Sequence, residues 1–175
     1  MKRRAYNQRR RAESQEATRL RIVEATVELH RRIGPAATTI SGVAEEAGVQ
    51  RHTVYRHFPD EEALFRACAG HFLVTNPPPE PATWTSVEQG LFELYSYYGS
   101  HDQMIASVLR DSAVRPVGRG FKNLQAAAAA ALSRIQPGPD RVAILRLATD
   151  FRAWQALELP PRAAAVLIAR LLECA

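Results

Sequence analysis

The sequence lacks most of the features that mark secreted, membrane-spanning or disordered proteins. Its 175 residues include only two cysteines, Cys68 and Cys174, which are too few for a disulfide framework. No apolar run approaches the ~20 residues that a bilayer span requires, and no apolar segment follows the arginine-rich N-terminus as it would in a secretory signal. Alternating apolar and polar runs typical of strands are also missing. Since 46% of the residues are hydrophobic, disorder is excluded, and we expect an all-α, cytoplasmic protein without membrane association.

The charge is distributed unevenly along the chain. There are 23 basic and 18 acidic side chains, a formal net charge of +5. Residues 1–11 hold six basic side chains and no acid, whereas residues 12–76 hold seven basic and nine acidic ones. The basic residues of the N-terminal segment are Lys2, Arg3, Arg4, Arg9, Arg10 and Arg11. A basic arm over residues 1–11 suits phosphate or minor-groove contacts, although a solvated terminal segment without a partner fits it equally well.

Apolar residues recur at helical spacing along the chain, and glycine, proline and capping residues divide it into segments. Thr38 or Thr39 can cap the second helix, and Gly48 supplies the bend after it. Thr85–Glu88 and Ser100–Gln103 are interpreted as capping boxes that open two later helices. The predicted helices cover about residues 12–33, 39–47, 50–58, 60–74, 85–99, 100–115, 120–135, 140–157 and 162–174. The proline-rich stretch 76–81 is the predicted domain boundary.

The spacing between Thr39 and Phe58 predicts a helix-turn-helix. A small residue, Ala44, allows the two short helices to cross closely, Gly48 tolerates a positive φ, and Val54 faces inward. The outer face of the second helix is then free for the major groove of DNA. That face carries polar and basic groups without an acid: Gln50, Arg51, His52, Thr53, Tyr55, Arg56 and His57. A solvated helix surface would explain any one of them, but it explains the set poorly.

Three of these side chains have individual predicted contacts. We expect Arg51 to bind a guanine with two hydrogen bonds, since arginine at a base edge commonly does so. Gln50 suits an adenine or a backbone phosphate. Thr53 suits a thymine methyl group or a phosphate.

Residues 20–72 resemble the TetR family of transcriptional regulators. The similarity lies in Thr39-Ile40, in Val43-Ala44-Glu45-Glu46-Ala47-Gly48-Val49 and above all in the run TVYRHFPDEEALF that begins at Thr53. The resemblance implies an N-terminal three-helix DNA-binding domain followed by a helical-bundle regulatory and dimerisation domain. It also implies a homodimer formed by the last two helices, a palindromic DNA operator, and a repressor that a small-molecule effector releases. The corresponding expected boundaries are 1–11 for the arm, 12–58 for the DNA-binding domain, 59–76 for a connecting helix and 77–175 for the remainder.

Transferred position by position, the family's DNA contacts fall on residues of the two short helices. They are Thr39, Ser41, Gln50, Arg51, His52, Thr53, Tyr55 and His57, with Tyr55 and His57 expected at phosphates. Glu61 is a departure, because the family often has a lysine there that contacts the DNA backbone, and an acid would repel phosphate. We therefore expect the arm, with Arg3, Arg4, Arg9 and Arg10 as contacts, to compensate for Glu61.

The second half of the chain resembles the family less and gives weaker signals. Large side chains that could line an effector pocket are Phe92, Tyr95, Tyr98, Met104, Phe121 and Trp154. Core packing explains aromatic residues at helical spacing more often than pocket walls do. The helices 140–157 and 162–174 are apolar on more than one side, which predicts burial against both their own subunit and a partner.

Two other classes of function stay open at this point. Enzyme motifs such as a phosphate loop, G-x-S-x-G or H-E-x-x-H are missing, so we expect no catalysis and no cofactor. Cys68-x-x-His71 offers two metal ligands, but a tetrahedral site needs more, and a buried Cys68 is the better interpretation. A DNA-binding protein that responds to no small molecule is the second alternative.

Overall fold

The computed structural model describes residues 2–174, and the side chains of residues 6–174. Every regular element within that range is helical. The ten α-helices are α1 Lys2–Arg32, α2 Ile40–Glu46, α3 Arg51–His57, α4 Glu61–Thr75, α5 Val87–Ser100, α6 Asp102–Asp111, α7 Arg119–Ile135, α8 Pro139–Ala148, α9 Phe151–Ala156 and α10 Pro161–Glu173. A short 3-10 helix covers Pro81–Thr83. The all-α fold predicted from the periodicity is confirmed. The chain forms two compact units, residues 1–77 and 78–175.

The first unit packs α2, α3 and α4 around the C-terminal half of α1. Its buried core takes residues from all four helices: Ile22, Val23, Ala25, Leu29, Val43, Ala44, Ala47, Val54, Phe58 and Leu64. Arg32 of α1 and Glu46 of α2 form an ion pair at 2.8 Å on the surface of this core. Cys68 is buried, as expected, and its Sγ lies 3.5 Å from Nδ1 of His30.

Helix α1 begins ten residues earlier than the sequence pattern predicts. The pattern placed its start near Ala12 because no apolar residue marks the inward face before that point, whereas the structure continues the helix back to Lys2. All side chains from Tyr6 to Ala17 are exposed. This segment is therefore helical without packing on a core, and arginine, glutamine and glutamate are good helix formers.

The second unit is built around α5, which contacts both α7 and α10. Its core contains the fully buried Leu91, Leu94, Tyr95 and Tyr98 of α5. The hydroxyl of Tyr95 donates to the carbonyl of Ala148 at 2.9 Å, and that of Tyr98 to the carbonyl of Thr149 at 2.7 Å. Two tyrosines thus tie α5 to the end of α8.

Three local predictions for this unit need correction. The cap of α5 is Ser86, whose hydroxyl accepts from the N–H of Gln89 at 3.1 Å, so the box is displaced by one residue from Thr85–Glu88. No capping box opens α6, because Ser100 belongs to α5 and its hydroxyl donates to the carbonyl of Ser96 at 2.9 Å.

The predicted single helix over residues 140–157 is wrong, because the structure has two helices there, α8 and α9. The carboxylate of Asp150 accepts from the backbone N–H groups of Arg152 and Ala153 at 2.8 and 3.1 Å. An aspartate in this position caps a new helix and ends the preceding one. The apolar periodicity continues across the break, which is why it concealed the break.

Gly90 on α5 provides a test of the packing in the second unit. A Cβ at this position would lie 2.6 Å from Cε3 of Trp84 and 2.8 Å from Cδ2 of Leu132. We expect Gly90→Ala to lower the free energy of unfolding by about 1–2 kcal/mol, because overpacking outweighs the gain in helix propensity. Gly70→Ala is the control, since nothing lies within 4 Å of its Cβ position. Urea denaturation measures the free energy of unfolding of both variants. Equal stability of the two would contradict the close packing of Gly90 against Trp84 and Leu132.

Candidate nucleic-acid interface

The turn between α2 and α3 is fixed by a cap, a glycine and a buried valine. Thr39 caps α2, with its hydroxyl oxygen accepting from the N–H of Gly42 at 3.1 Å. Gly48 has φ 63°, a left-handed conformation that glycine adopts without steric cost. The N–H of Val49 then donates to the carbonyl of Ala44 at 2.9 Å, and Val54 is fully buried. With Val54 inward, the opposite face of α3 has to be outward.

The outward face of α3 is polar and basic. Gln50, Arg51, His52, Tyr55 and Arg56 are exposed. Thr53 and His57 are half-buried. Gln50 occupies the N-cap position of α3 without a side-chain capping bond, so its amide is not used to close the helix. This face offers several hydrogen-bond donors and two guanidinium groups without a carboxylate, which suits base edges and phosphates.

Arg19 of α1 lies beside the end of α3 and was missed by the sequence analysis. Its guanidinium carbon is 4.8 Å from the centroid of the Phe58 ring. Burial is the main cause that lowers the pKa of His57, and the nearby cations of Arg56 and Arg19 lower it further, against an opposing effect of Glu16. The only sequence signal for Arg19 is its place one turn before the core residues Ile22 and Val23 begin.

Acidic residues begin α4 immediately after this surface. Asp60 caps the helix, with its carboxylate accepting from the N–H of Ala63 at 2.7 Å. Glu61 and Glu62 occupy the first turn, where the helix dipole favours negative charge. Their placement stabilises α4 but gives this end of the surface a negative charge.

Comparisons with known proteins show which family this part of the chain resembles. Residues 22–68 match the family model described as bacterial regulatory proteins, tetR family. The match identifies residues 22–68, within the first unit, as a TetR-type domain. A solved structure, described as a tetR-family transcriptional regulator from Streptomyces coelicolor, is similar over 91% of this chain and 80% of that one, with a TM-score of 0.59. Its sequence identity is 17%, so this likeness shows the fold. No curated protein matches the sequence.

The structure places the predicted TetR-type contacts of α2 and α3 at exposed or half-buried positions. Thr39 and Ser41 are exposed at the start of α2. The remaining predicted contacts lie on α3 or at its cap: Gln50, Arg51, His52, Thr53, Tyr55 and His57. Their roles toward DNA stay predictions.

The predicted contacts of the N-terminal segment lie on the first turns of α1. Arg9 and Arg10 are exposed, Arg9 pairing with Glu13 at 2.8 Å and Arg10 lying 5.9 Å from the centroid of the Tyr6 ring. Arg3 and Arg4 were also predicted as contacts, but their side chains lie outside those that the structure describes.

The six predicted pocket residues have different positions in the second unit. Tyr95, Tyr98 and Met104 are buried, and both tyrosine hydroxyls are already bonded to backbone carbonyls. Phe121 and Trp154 are half-buried against the same core, whereas Phe92 is on the surface with Arg162 over its ring at 5.7 Å. A groove of about 500 Å³ lies elsewhere, between α7 and α8. It is lined by Gln125, Ala126, Ala129, Ala130, Ser133, Val142, Arg146, Thr149 and Asp150.

The lowered pKa of His57 predicts how DNA affinity changes with pH. The lowered pKa favours the neutral imidazole at pH 7 in the free protein, and a phosphate against it would raise its pKa in the complex. DNA binding then takes up a proton, and affinity rises as pH falls through the pKa of the complex, about tenfold for each unit of upward shift. Titrations by fluorescence anisotropy between pH 5.5 and 8 measure this effect. His57→Gln should flatten the profile, and equal profiles for both proteins would remove His57 from the contacts.

Proposed function

We propose that this TetR-family protein binds a two-fold symmetric DNA operator as a homodimer, represses transcription there, and leaves the operator when a small molecule binds. The observation that carries the proposal is the outward face of α3, where exposed polar and basic groups without an acid surround the inward-facing Val54. A helix held in this way fits the major groove.

The homodimer is supported by exposed leucines on α8 and α10. Leu147 is 67% exposed, Leu167 40% and Leu171 52%, although Leu145, Ile168 and Leu172 on the same helices are buried. Helices that are apolar on two sides expose one side unless a partner covers it. A second copy covering α8 and α10 would set the distance between two α3 helices, and hence the spacing of the operator half-sites.

Release by an effector is supported by the groove between α7 and α8. Its alanines leave room for an apolar body, while Gln125, Ser133 and Arg146 offer polar contacts at its walls. An effector that binds more tightly to a dimer with misplaced α3 helices lowers operator affinity by that difference in binding free energy. The alternative is a constitutive DNA-binding protein, which would show neither a ligand-dependent thermal shift nor release.

Selection of binding sites from random duplex DNA tests the proposal as a whole. The expected result is a consensus with two-fold symmetry and half-sites separated by about one helical turn. A preference for no sequence over bulk competitor DNA would reject sequence-specific binding, and an asymmetric single site would reject the dimer. Screening small molecules for release of the selected duplex then separates the two regulatory alternatives.

Arg51 at the start of α3 has a predicted base contact. We expect Arg51→Ala to weaken binding of the selected duplex by about 1–3 kcal/mol for each half-site and to relax the preference at one base pair of each half-site. Arg66→Ala is the matched control, because Arg66 is exposed on α4 and pairs with Glu62. Binding to a panel of single-base variants measures the preference. If Arg51→Ala lowers affinity equally for all of them, Arg51 contacts phosphate and not a base.

Leu167 tests the dimer interface. Leu167→Glu should shift the protein to monomers at micromolar concentration, because a buried unpaired carboxylate is strongly unfavourable in an apolar interface. Val114→Glu provides a control, since Val114 is 74% exposed and lies outside α8 and α10. Sedimentation velocity measures both variants. A dimer that persists in Leu167→Glu with an unchanged dissociation constant would place the interface elsewhere.

A further inference from the structure

The first turns of α1 form a basic helix, and none of its described side chains from Tyr6 to Ala17 is buried in the core of the first unit. All side chains from Tyr6 to Ala17 are exposed, and the nearest described contacts are local ones within the helix, such as Arg9 with Glu13. At ~1.5 Å per residue, the 14 residues from 2 to 15 form about 21 Å of helix ahead of the packed part of α1. The segment is thus an ordered projection, continuous with a helix that is anchored in the core.

The charges of this projection do not serve the stability of the helix. The first turn of α1 contains no acid, and Lys2, Arg3 and Arg4 occupy a helix end where the dipole favours negative groups. The single ion pair described there, Arg9 with Glu13, is highly exposed and contributes little. Since the positive charges at the start of α1 do not stabilise the helix, a function for them requires a negatively charged partner.

The root of the projection lies next to the DNA-reading surface. Arg19 contacts Phe58 at the end of α3, and both Arg19 and Glu16 are close enough to His57 to affect its pKa. Residues 2–15 therefore leave the first unit beside the end of α3 and not from a remote face. Phosphates of a duplex bound by α3 are the polyanion nearest to this point.

We infer that residues 2–15 of α1 act as a preformed helix that lies along the phosphate backbone beside each half-site and extends the DNA contact beyond the reach of α3. This inference rests on the proposed binding of an operator by α3. Successive residues are about 100° apart on a helix, so Arg9, Arg10 and Arg11 span about 200° of its circumference. A duplex alongside is reached by at least one of them in any rotation of the helix. The contact carries no base preference, and its contribution is affinity and a longer footprint.

Two variants separate the charge of this helix from its shape. Arg9→Gln with Arg10→Gln and Arg11→Gln removes three charges and keeps good helix formers. Ala12→Pro keeps every charge but interrupts the helix at an exposed position outside the core. The matched control is Arg119→Gln with Lys122→Gln and Arg134→Gln, which removes three exposed charges from α7. Circular dichroism and thermal unfolding of the full-length proteins verify that each variant is folded.

The readouts are the slope of log affinity against log salt and the hydroxyl-radical footprint on the selected duplex. For the arginine variant we expect the slope to fall by at least ~1.8, which corresponds to one lost phosphate contact in each of the two subunits, and the footprint to shorten at its outer ends. Ala12→Pro should shorten the footprint in the same way. The control should leave both unchanged, and the base preference should be the same for all of the proteins.

The outcomes distinguish the inference from the proposed function. If the unmodified protein selects no duplex, the proposed function fails, and the inference fails with it. If the protein selects a duplex but the arginine variant and the control behave alike, the charges act only through net charge and the inference alone is overturned. If Ala12→Pro keeps the full footprint, a flexible arm explains the contact and the preformed helix is rejected.

Discussion

The surface that faces DNA in the proposed function depends on the burial of one side chain, Val54. A seven-residue helix is too short to be stable alone, so the orientation of α3 comes from its packing. Val54 and Val43 are both fully buried and fix the rotation of α3 about its axis, while the left-handed Gly48 fixes its angle to α2. Because the rotation of α3 about its axis is fixed, the polar residues on either side of Val54 face outward. Rotation of α3 would bury guanidinium groups without partners, at a cost of several kcal/mol.

The electrostatics of this surface combine two opposing requirements. Helix α4 needs negative charge at its first turn, and Asp60 and Glu62 supply it, but the same charges repel phosphate. In the proposed function, the acid-free α3 and the basic start of α1 offset this repulsion. Arg19 joins these two regions through its contact with Phe58. The cations near His57 also favour its neutral form in the free protein. A phosphate beside the imidazole would favour the protonated form, so His57 would gain a proton when DNA binds there.

The sequence predicts α2, α3 and α4 of the first unit because the ends of these helices are marked by local chemistry. Thr39, Gly48 and Asp60 act at single positions, through a cap, a positive φ and a second cap, and each has the role that its residue type predicts. The start of α1 could not be predicted in this way, because a solvated helix has no apolar face to show periodicity. The break at Asp150 was concealed for the opposite reason. Apolar residues continue across the break at helical spacing, so the periodicity does not show it. The hydrogen bonds from the N–H groups of Arg152 and Ala153 to Asp150 reveal the new cap in the structure.

The second unit shows why aromatic residues alone do not locate an effector site. A buried tyrosine hydroxyl requires a hydrogen-bond partner, and Tyr95 and Tyr98 find theirs in backbone carbonyls at the end of α8. Burial without a ligand is therefore complete for both rings, and it raises the pKa of each hydroxyl above its usual value. Space for a ligand occurs where side chains are small, as along the alanines of α7. Since small residues also favour close helix packing, a sequence cannot distinguish a groove from a tight contact there. The same two tyrosines bond α5 to the end of α8, so an effector in the proposed groove beside α8 would act on a helix that is bonded directly to the core of its unit.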